Sequence, residues 1–310
     1  MGVVCMFFED KMNKYIFTDN YSEGDGCVIV LGCFDGLHKA HQKIIAEGFD
    51  VAEAKRLPLV VWALNIKRDN KLMSAEEKVS MLERLGVDGA IVEELDDIRS
   101  MDCESFVKIL ADKYCARHLV CGYNFTFGEG KSGDAQILSR LAAPYGISVT
   151  VVDKFTVEGL GVSSTAIRNA LTSGNPVLAG TMLGRFYEIN GVVEHGYERG
   201  REIGFPTANI FIKEGMIVPR FGVYRSFTDV EGKRYLSITN IGVCPSVKIG
   251  GEMVTVETHI IDQELDLYGK NISVKLASFI RPEKKFESIE MLTRAIQEDI
   301  KCIKREYESK

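Results

Sequence analysis

The chain has 310 residues, 45% of them hydrophobic, a net charge of −6 and no basic run longer than a pair such as Lys284–Lys285. That length supports two ordinary cores, and that charge argues against a protein living on contacts to the DNA or RNA backbone, while small phosphorylated ligands stay open. No uncharged apolar run approaches the ~18 residues of a membrane span, MGVVCMFFEDK lacks the basic lead of a signal peptide, and the eight cysteines form no C-x-x-C pair, so the expectation is a cytoplasmic protein with reduced thiols.

In chain order, CVIVLG (27–32) predicts a buried strand. HQKIIAEGFDVAEAKR (41–56) predicts a helix with Ile44, Ile45, Phe49 and Ala52 on one face. LPLVVWAL (57–64) is the next strand, and SAEEKVSMLERLG (74–86) a helix that opens on a Ser74/Glu77 capping box and stops at Gly86. VDGAIVEEL (87–95) and RHLVCG (117–122) read as strands around a helix over ESFVKILADKY (104–114). AQILSRLAAPYG (135–146) is helical and ISVTVVDKF (147–155) extended. Strands alternating with helices of this length predict a doubly wound parallel sheet, Rossmann-like in class.

From about residue 184 the rhythm becomes short alternating strands between turn residues, including a hairpin turn at Val230–Lys233, which predicts an antiparallel barrel. A final helix follows Ser288, with Ile289, Leu292, Ile296, Ile300, Ile303 and Tyr307 at spacings of three and four. The break between the two classes falls in LTSGNPVLAGTMLG (171–184), with Gly174, Asn175 and Pro176 as breakers, giving domains 1–180 and 184–310.

LGCFDGLHKAH (31–41) turns out of the first strand into a helix. Its glycines at 32 and 36 let backbone approach a ligand, and His38 and His41 lie at i and i+3. Two histidines beside a turn are unremarkable on spacing alone, so both readings stay open there. Two later stretches add chemistry: GYNFTFGEGKSGD (122–134) after a strand, and VSSTAIRNAL (162–171), which puts Ser164 at a helix start and Arg168 one turn on. In the second half, RGREIGFPTANI (199–210) offers Thr207 and Asn209 as oxygen ligands suited to Mg²⁺. TVETHIID (255–262) carries Glu257, a candidate general base, on one strand face with His259.

The G-x-F-D-G-x-H-x-x-H loop, the G-x-x-F-x-F-G loop and the S-S-T-x-I-R helix start resemble the nucleotidylyltransferase module of bacterial bifunctional riboflavin kinase/FMN adenylyltransferases (FAD synthetases). GFPTAN, the Glu257 strand, DLYGK (266–270) and FIRPEKKFESIEML (279–292) resemble that family's riboflavin kinase domain. The resemblance implies a Rossmann-like adenylyltransferase domain followed by a Greek-key β-barrel with a C-terminal helix. It implies ATP binding in the first domain by Gly32, Phe34, Asp35, His38, His41, Asn124, Ser164 and Arg168. In the second it implies ATP binding by Arg201, Gly204 and Pro206, Mg²⁺ at Thr207 and Asn209, flavin binding by Arg281 and Phe286, and catalysis by Glu257. The implied substrates are riboflavin, FMN and ATP, with no nucleic acid or membrane partner, in a monomer or weak homo-oligomer. Ala40 stands where the family has a glycine between its histidines. WALNIKRDN (62–70) stands in place of its F-x-P-H-P segment. That second departure motivates an alternative, a riboflavin kinase whose N-terminal domain binds nucleotide or flavin without efficient FAD synthesis.

Overall fold

A computed structural model describes residues 13–16, 26–194, 204–245 and 252–308. The N-terminal elements are β1 (Asn13–Ile16), β2 (Cys27–Gly32), α1 (Lys39–Lys55), β3 (Leu59–Asn65), α2 (Ala75–Arg84), β4 (Gly89–Glu94), α3 (Leu95–Ile98), α4 (Cys103–Asp112), β5 (Ala116–Gly122), β6 (Thr126–Phe127), β7 (Gly133–Asp134), α5 (Ala135–Ala142), β8 (Ser148–Val152), β9 (Thr156–Val157) and β10 (Leu160–Gly161). They are followed by α6 (Ser164–Thr172), α7 (Pro176–Leu183), β11 (Tyr187–Val192), β12 (Ala208–Phe211), β13 (Gly222–Val230), β14 (Lys233–Pro245), β15 (Glu252–Ile260), β16 (Asn271–Arg281) and α8 (Ile289–Glu308). The chain divides into two compact units, the break falling between Ser164 and Thr165.

In the first unit the sheet runs β1-β4-β3-β2-β5-β8, parallel throughout except for β1 on the edge. Successive residues of β2 feed opposite faces. Cys27, Ile29 and Leu31 join a core with Trp62, Phe106 and Leu138, whereas Val28 and Val30 join one with Phe34, Leu37, Ile45 and Leu82. Both faces are covered, so the strands read as continuous apolar runs rather than alternating ones. Gly48 lets α1 approach the sheet, since a Cβ there would lie 2.5 Å from Val30 Cγ2. The Ser74/Glu77 capping box is present at the start of α2.

The strand order reverses at β2. The chain leaves β2 toward β3 and β4, then returns to β5 on its other side. Loops leaving neighbouring strands on either side of such a switch point open a crevice at their carboxyl ends, where ligands bind in open α/β sheets.

The second unit is an antiparallel sheet ordered β11-β16-β13-β14-β15-β12. The Glu194–Asn209 bridge brings its two ends together, closing the barrel. Glu231 and Gly232 take left-handed backbone at the β13–β14 hairpin, as a two-residue turn requires. Pro176, expected as a breaker, instead begins α7. Asn175 caps that helix by accepting from the Leu178 N–H at 3.0 Å, and proline costs nothing in the first turn. The unit boundary lies earlier than the 171–184 stretch because α6 and α7 pack with the barrel: the Arg220 N–H donates to the Leu171 carbonyl, and α7 lies against β16.

The barrel interior is not wholly apolar. Ser226, Thr228, Ser237, Thr239 and Thr258 are fully buried. Their hydroxyls form a chain: Ser226–Thr239 at 2.7 Å, Thr239–Thr258 at 2.8 Å, Thr258–Thr228 at 3.2 Å and Thr228–Ser237 at 2.7 Å. Each hydroxyl is satisfied by the next, so burial is tolerated. Thr239→Val keeps the shape but strips partners from Ser226 and Thr258. It is expected to destabilise the barrel by about 1–3 kcal/mol, read as a lower midpoint of the barrel's calorimetric transition. An unchanged midpoint contradicts the hydroxyl chain as a structural element.

Candidate functional site

The turn after β2 lies at the switch point. Gly32 leaves room for the Phe34 ring, which packs 3.0 Å from where a Cβ would stand. Phe34, Gly36 and Leu37 all have positive φ (50°, 84° and 41°). For the two non-glycine residues, left-handed backbone costs roughly 1–2 kcal/mol each, so surrounding structure must hold the turn. Burial of the Phe34 and Leu37 side chains supplies part of that hold.

Asp35 supplies the rest. Its carboxylate accepts from Arg68 Nη2 at 2.6 Å and from the Leu72 N–H at 2.9 Å, and its carbonyl accepts from the Ser164 hydroxyl at 2.8 Å. Beneath the turn lies Lys78 of α2, almost wholly buried, whose Nζ donates to the Cys33 carbonyl at 2.9 Å and the Leu64 carbonyl at 2.8 Å. Burial lowers the Lys78 pKa to about 8 against the pull of Asp35.

His38 is the N-cap of α1, and its Nδ1 accepts from the His41 N–H at 3.3 Å. With Nδ1 accepting in this contact, Nε2 is the ring nitrogen left to donate. The two histidine rings stack at 3.6 Å, and Phe34 meets His41 edge-on at 5.1 Å. Desolvation holds His41 well below the ordinary histidine value, with His38 and Lys78 adding to the effect.

Asn124 is exposed on the turn leaving β5, with Oδ1 3.5 Å from the position of a Gly122 Cβ, which would also crowd Ile44 of α1. The structure therefore brings Gly32, Phe34, Asp35, His38, His41 and Ser164 to one turn and sets Asn124 at the exit of the neighbouring strand. Arg168 is half-buried one turn along α6, beyond the division between units. Two residues of this region were not singled out in the sequence. Arg68 lies in the departing segment 62–70 and faces Asp35. Lys78 shares the buried side of α2 with Leu82 at i+4, a position where a lysine was itself a signal.

In the barrel, register places Asn209 of β12 opposite Glu257 of β15, and Glu257 opposite Asn240 of β14, so the three share a face. Pro206, Thr207, Asn209, Thr258, Asp266 and Tyr268 line one cavity. The His259 ring donates from Nδ1 to the Pro206 carbonyl at 2.8 Å, tying this segment to β15. Gly204 is exposed with φ 81°. Arg201 lies outside the described residues. Arg281 makes an ion pair with Asp299 of α8 at 2.9 Å and lies 5.6 Å over the Phe286 ring. Among the described residues no cluster of three His, Cys, Asp or Glu side chains is arranged to hold a metal.

A riboflavin kinase family model matches residues 183–307 and an FAD synthetase family model matches residues 21–166. The bifunctional riboflavin kinase/FMN adenylyltransferase of Bacillus subtilis is 34% identical over 88% of this chain and 90% of its own. The enzyme of the same name from Escherichia coli K12 is 33% identical over 93% and 95%. A crystal structure described as a macrolide-efflux protein from Streptococcus pneumoniae matches with a TM-score of 0.81 at 29% identity, covering 90% of this chain and 94% of that one. No helix among the described residues is long and apolar enough to cross a membrane.

The stacked histidines give a direct readout. The folded state holds His41 neutral, so the unfolded chain takes up that proton first as pH falls through 6.5, and His41 subtracts from stability below it. In an NMR titration the His41 midpoint is expected below 6.5; a midpoint at or above 6.5 contradicts the desolvated ring.

Proposed function

The chain belongs to the bifunctional riboflavin kinase/FMN adenylyltransferase family, and from that premise we propose that it carries out both reactions, each in its own domain. The observation that carries this reading is the presence of both family matches, in order, within one chain. They and the two bifunctional relatives agree on flavin nucleotides, and that agreement outweighs the efflux description of the streptococcal structure.

The 184–310 domain phosphorylates riboflavin. The flavin's 5′-hydroxyl oxygen attacks the γ-phosphorus of ATP, Glu257 takes the hydroxyl proton, and ADP leaves. An alcohol needs that base, and Glu257 stands directly across from Asn209. Thr207 and Asn209 offer hard, neutral oxygens that fit Mg²⁺, which supplies charge neutralisation on the phosphates when bound. Gly204 and Pro206 lie on the proposed approach to ATP, supported by the cavity that Pro206 and Thr207 line, and the family resemblance adds Arg201. Arg281 and Phe286, stacked and latched to α8, border the flavin.

The 1–180 domain transfers an adenylyl group. The FMN phosphate attacks the α-phosphorus of a second ATP and pyrophosphate leaves. The nucleophile is already an anion, so the protein's work is positioning and charge stabilisation. His38 presents Nε2–H, while Asn124, Ser164 and Arg168 supply further donors. Gly32, Phe34 and Asp35 shape the turn. The 62–70 segment that motivated a kinase-only alternative contributes Arg68 to Asp35, an observation that favours two activities. The expected setting is the cytoplasm, as a monomer or weak homo-oligomer without nucleic-acid or membrane partners.

Two variants separate the sites. Glu257→Gln is expected to slow FMN formation by about 10²–10⁴ while FAD still forms from supplied FMN, and His41→Ala the reverse; both products are followed by chromatography. A Glu257→Gln kinase near wild-type rate removes the base assignment. Loss of both activities in either variant points away from separate sites.

A further inference from the structure

We propose that Lys78 is a positioning residue for adenylyl transfer: its buried Nζ pins the carbonyl ends of β2 and β3 and so fixes the turn that presents His38 and His41. The proposal rests on the reading of the N-terminal domain as an adenylyltransferase. Its support is geometric. Nζ donates to the carbonyls of Cys33, the residue after β2, and Leu64, the last but one of the neighbouring parallel strand β3. Cys33 immediately precedes the left-handed Phe34. From Cys33 the chain reaches the His38 cap in five residues, Phe34 to His38, all of them buried. A lysine in this place holds a strained turn from below, while Asp35 holds it from the side through Arg68, Leu72 and Ser164.

The groups facing Lys78 are Asp35 and Glu94, whose carboxylates favour its charge, Arg68, which opposes it, and the Cys33 thiol. Burial outweighs the carboxylates and brings the amine to about 8. A neutral amine still carries two N–H donors, one for each carbonyl. The tie therefore survives deprotonation, and its loss on substitution is a change of geometry rather than of charge alone. A lysine buried only as a spacer would be replaceable by an apolar chain of equal length; one that positions the turn would not.

The test uses the full chain with Lys78→Met, which keeps the length, and Lys78→Gln, which keeps a donor. Trp62 is the single tryptophan and lies in the core of the N-terminal unit, so its emission reports the folding of that unit alone. Both variants are expected to keep wild-type Trp62 emission and FMN formation. In Lys78→Met, kcat for FAD formation from FMN is expected to fall at least tenfold, with Lys78→Gln recovering part of the loss. By NMR, the imidazole signals of His38 and His41 should move in Lys78→Met while that of His118, in the same unit, stays. The imidazole readout does not require turnover. An inactive wild-type domain with shifted His38 and His41 signals would therefore overturn the function and leave the positioning role supported. Unshifted histidines, or FAD formation within twofold of wild type, overturn the positioning role. Loss of the native Trp62 signal in both variants also overturns it, making Lys78 a residue of the fold.

Discussion

The N-terminal unit depends on how one aspartate is held. Asp35 sits in a turn whose backbone is left-handed at two non-glycine positions, a conformation that nothing local would maintain. Its carboxylate and carbonyl together fasten segments 33, 37 and 129 residues away in sequence, through Arg68, Leu72 and Ser164. Lys78 secures the carbonyl of Cys33, two residues before Asp35. Once the turn is fixed, His38 is placed to cap α1 and His41 stacks against it. The strand order then matters, because the same switch point that exposes this turn also exposes the exit of β5 with Asn124.

The barrel solves a different problem. For the proposed phosphorylation it must set amides and a carboxylate side by side within a small closed sheet. Antiparallel register delivers this: Asn209, Glu257 and Asn240 line up across three strands, while the alternate residues Ala208, Thr258 and Thr239 turn to the other face. The buried hydroxyl chain includes Thr258, which also lines the cavity at Thr207, so the interior network and the candidate site share a residue. The helix α8 is fixed to the barrel by Ile303, by the Arg281–Asp299 pair and by Arg225–Glu306.

Much of this was legible in the sequence because it is local. The apolar runs of β2 and β3, the Ser74/Glu77 capping box and the hairpin at Glu231–Gly232 each follow from a few neighbouring residues. Pro176 misled because a proline opens a helix as readily as it ends one, and only the Asn175 cap tells which. Arg68 was hidden because its meaning lies in Asp35, 33 residues earlier, and segment 62–70 drew attention for the residues it lacks. Lys78 was readable in principle: it shares the buried side of a helix with Leu82, yet a lysine between a glutamate and a valine passes for surface. His259 matters through the Pro206 carbonyl, a backbone partner that side-chain patterns do not reveal.

One chain makes both flavin nucleotides, despite the altered segment at 62–70. The direct measurement incubates the purified protein with riboflavin, ATP and Mg²⁺ and resolves the flavins by chromatography over time. FMN is expected to appear first and FAD to follow it. FMN that accumulates with no FAD, even when FMN is supplied in excess, contradicts it.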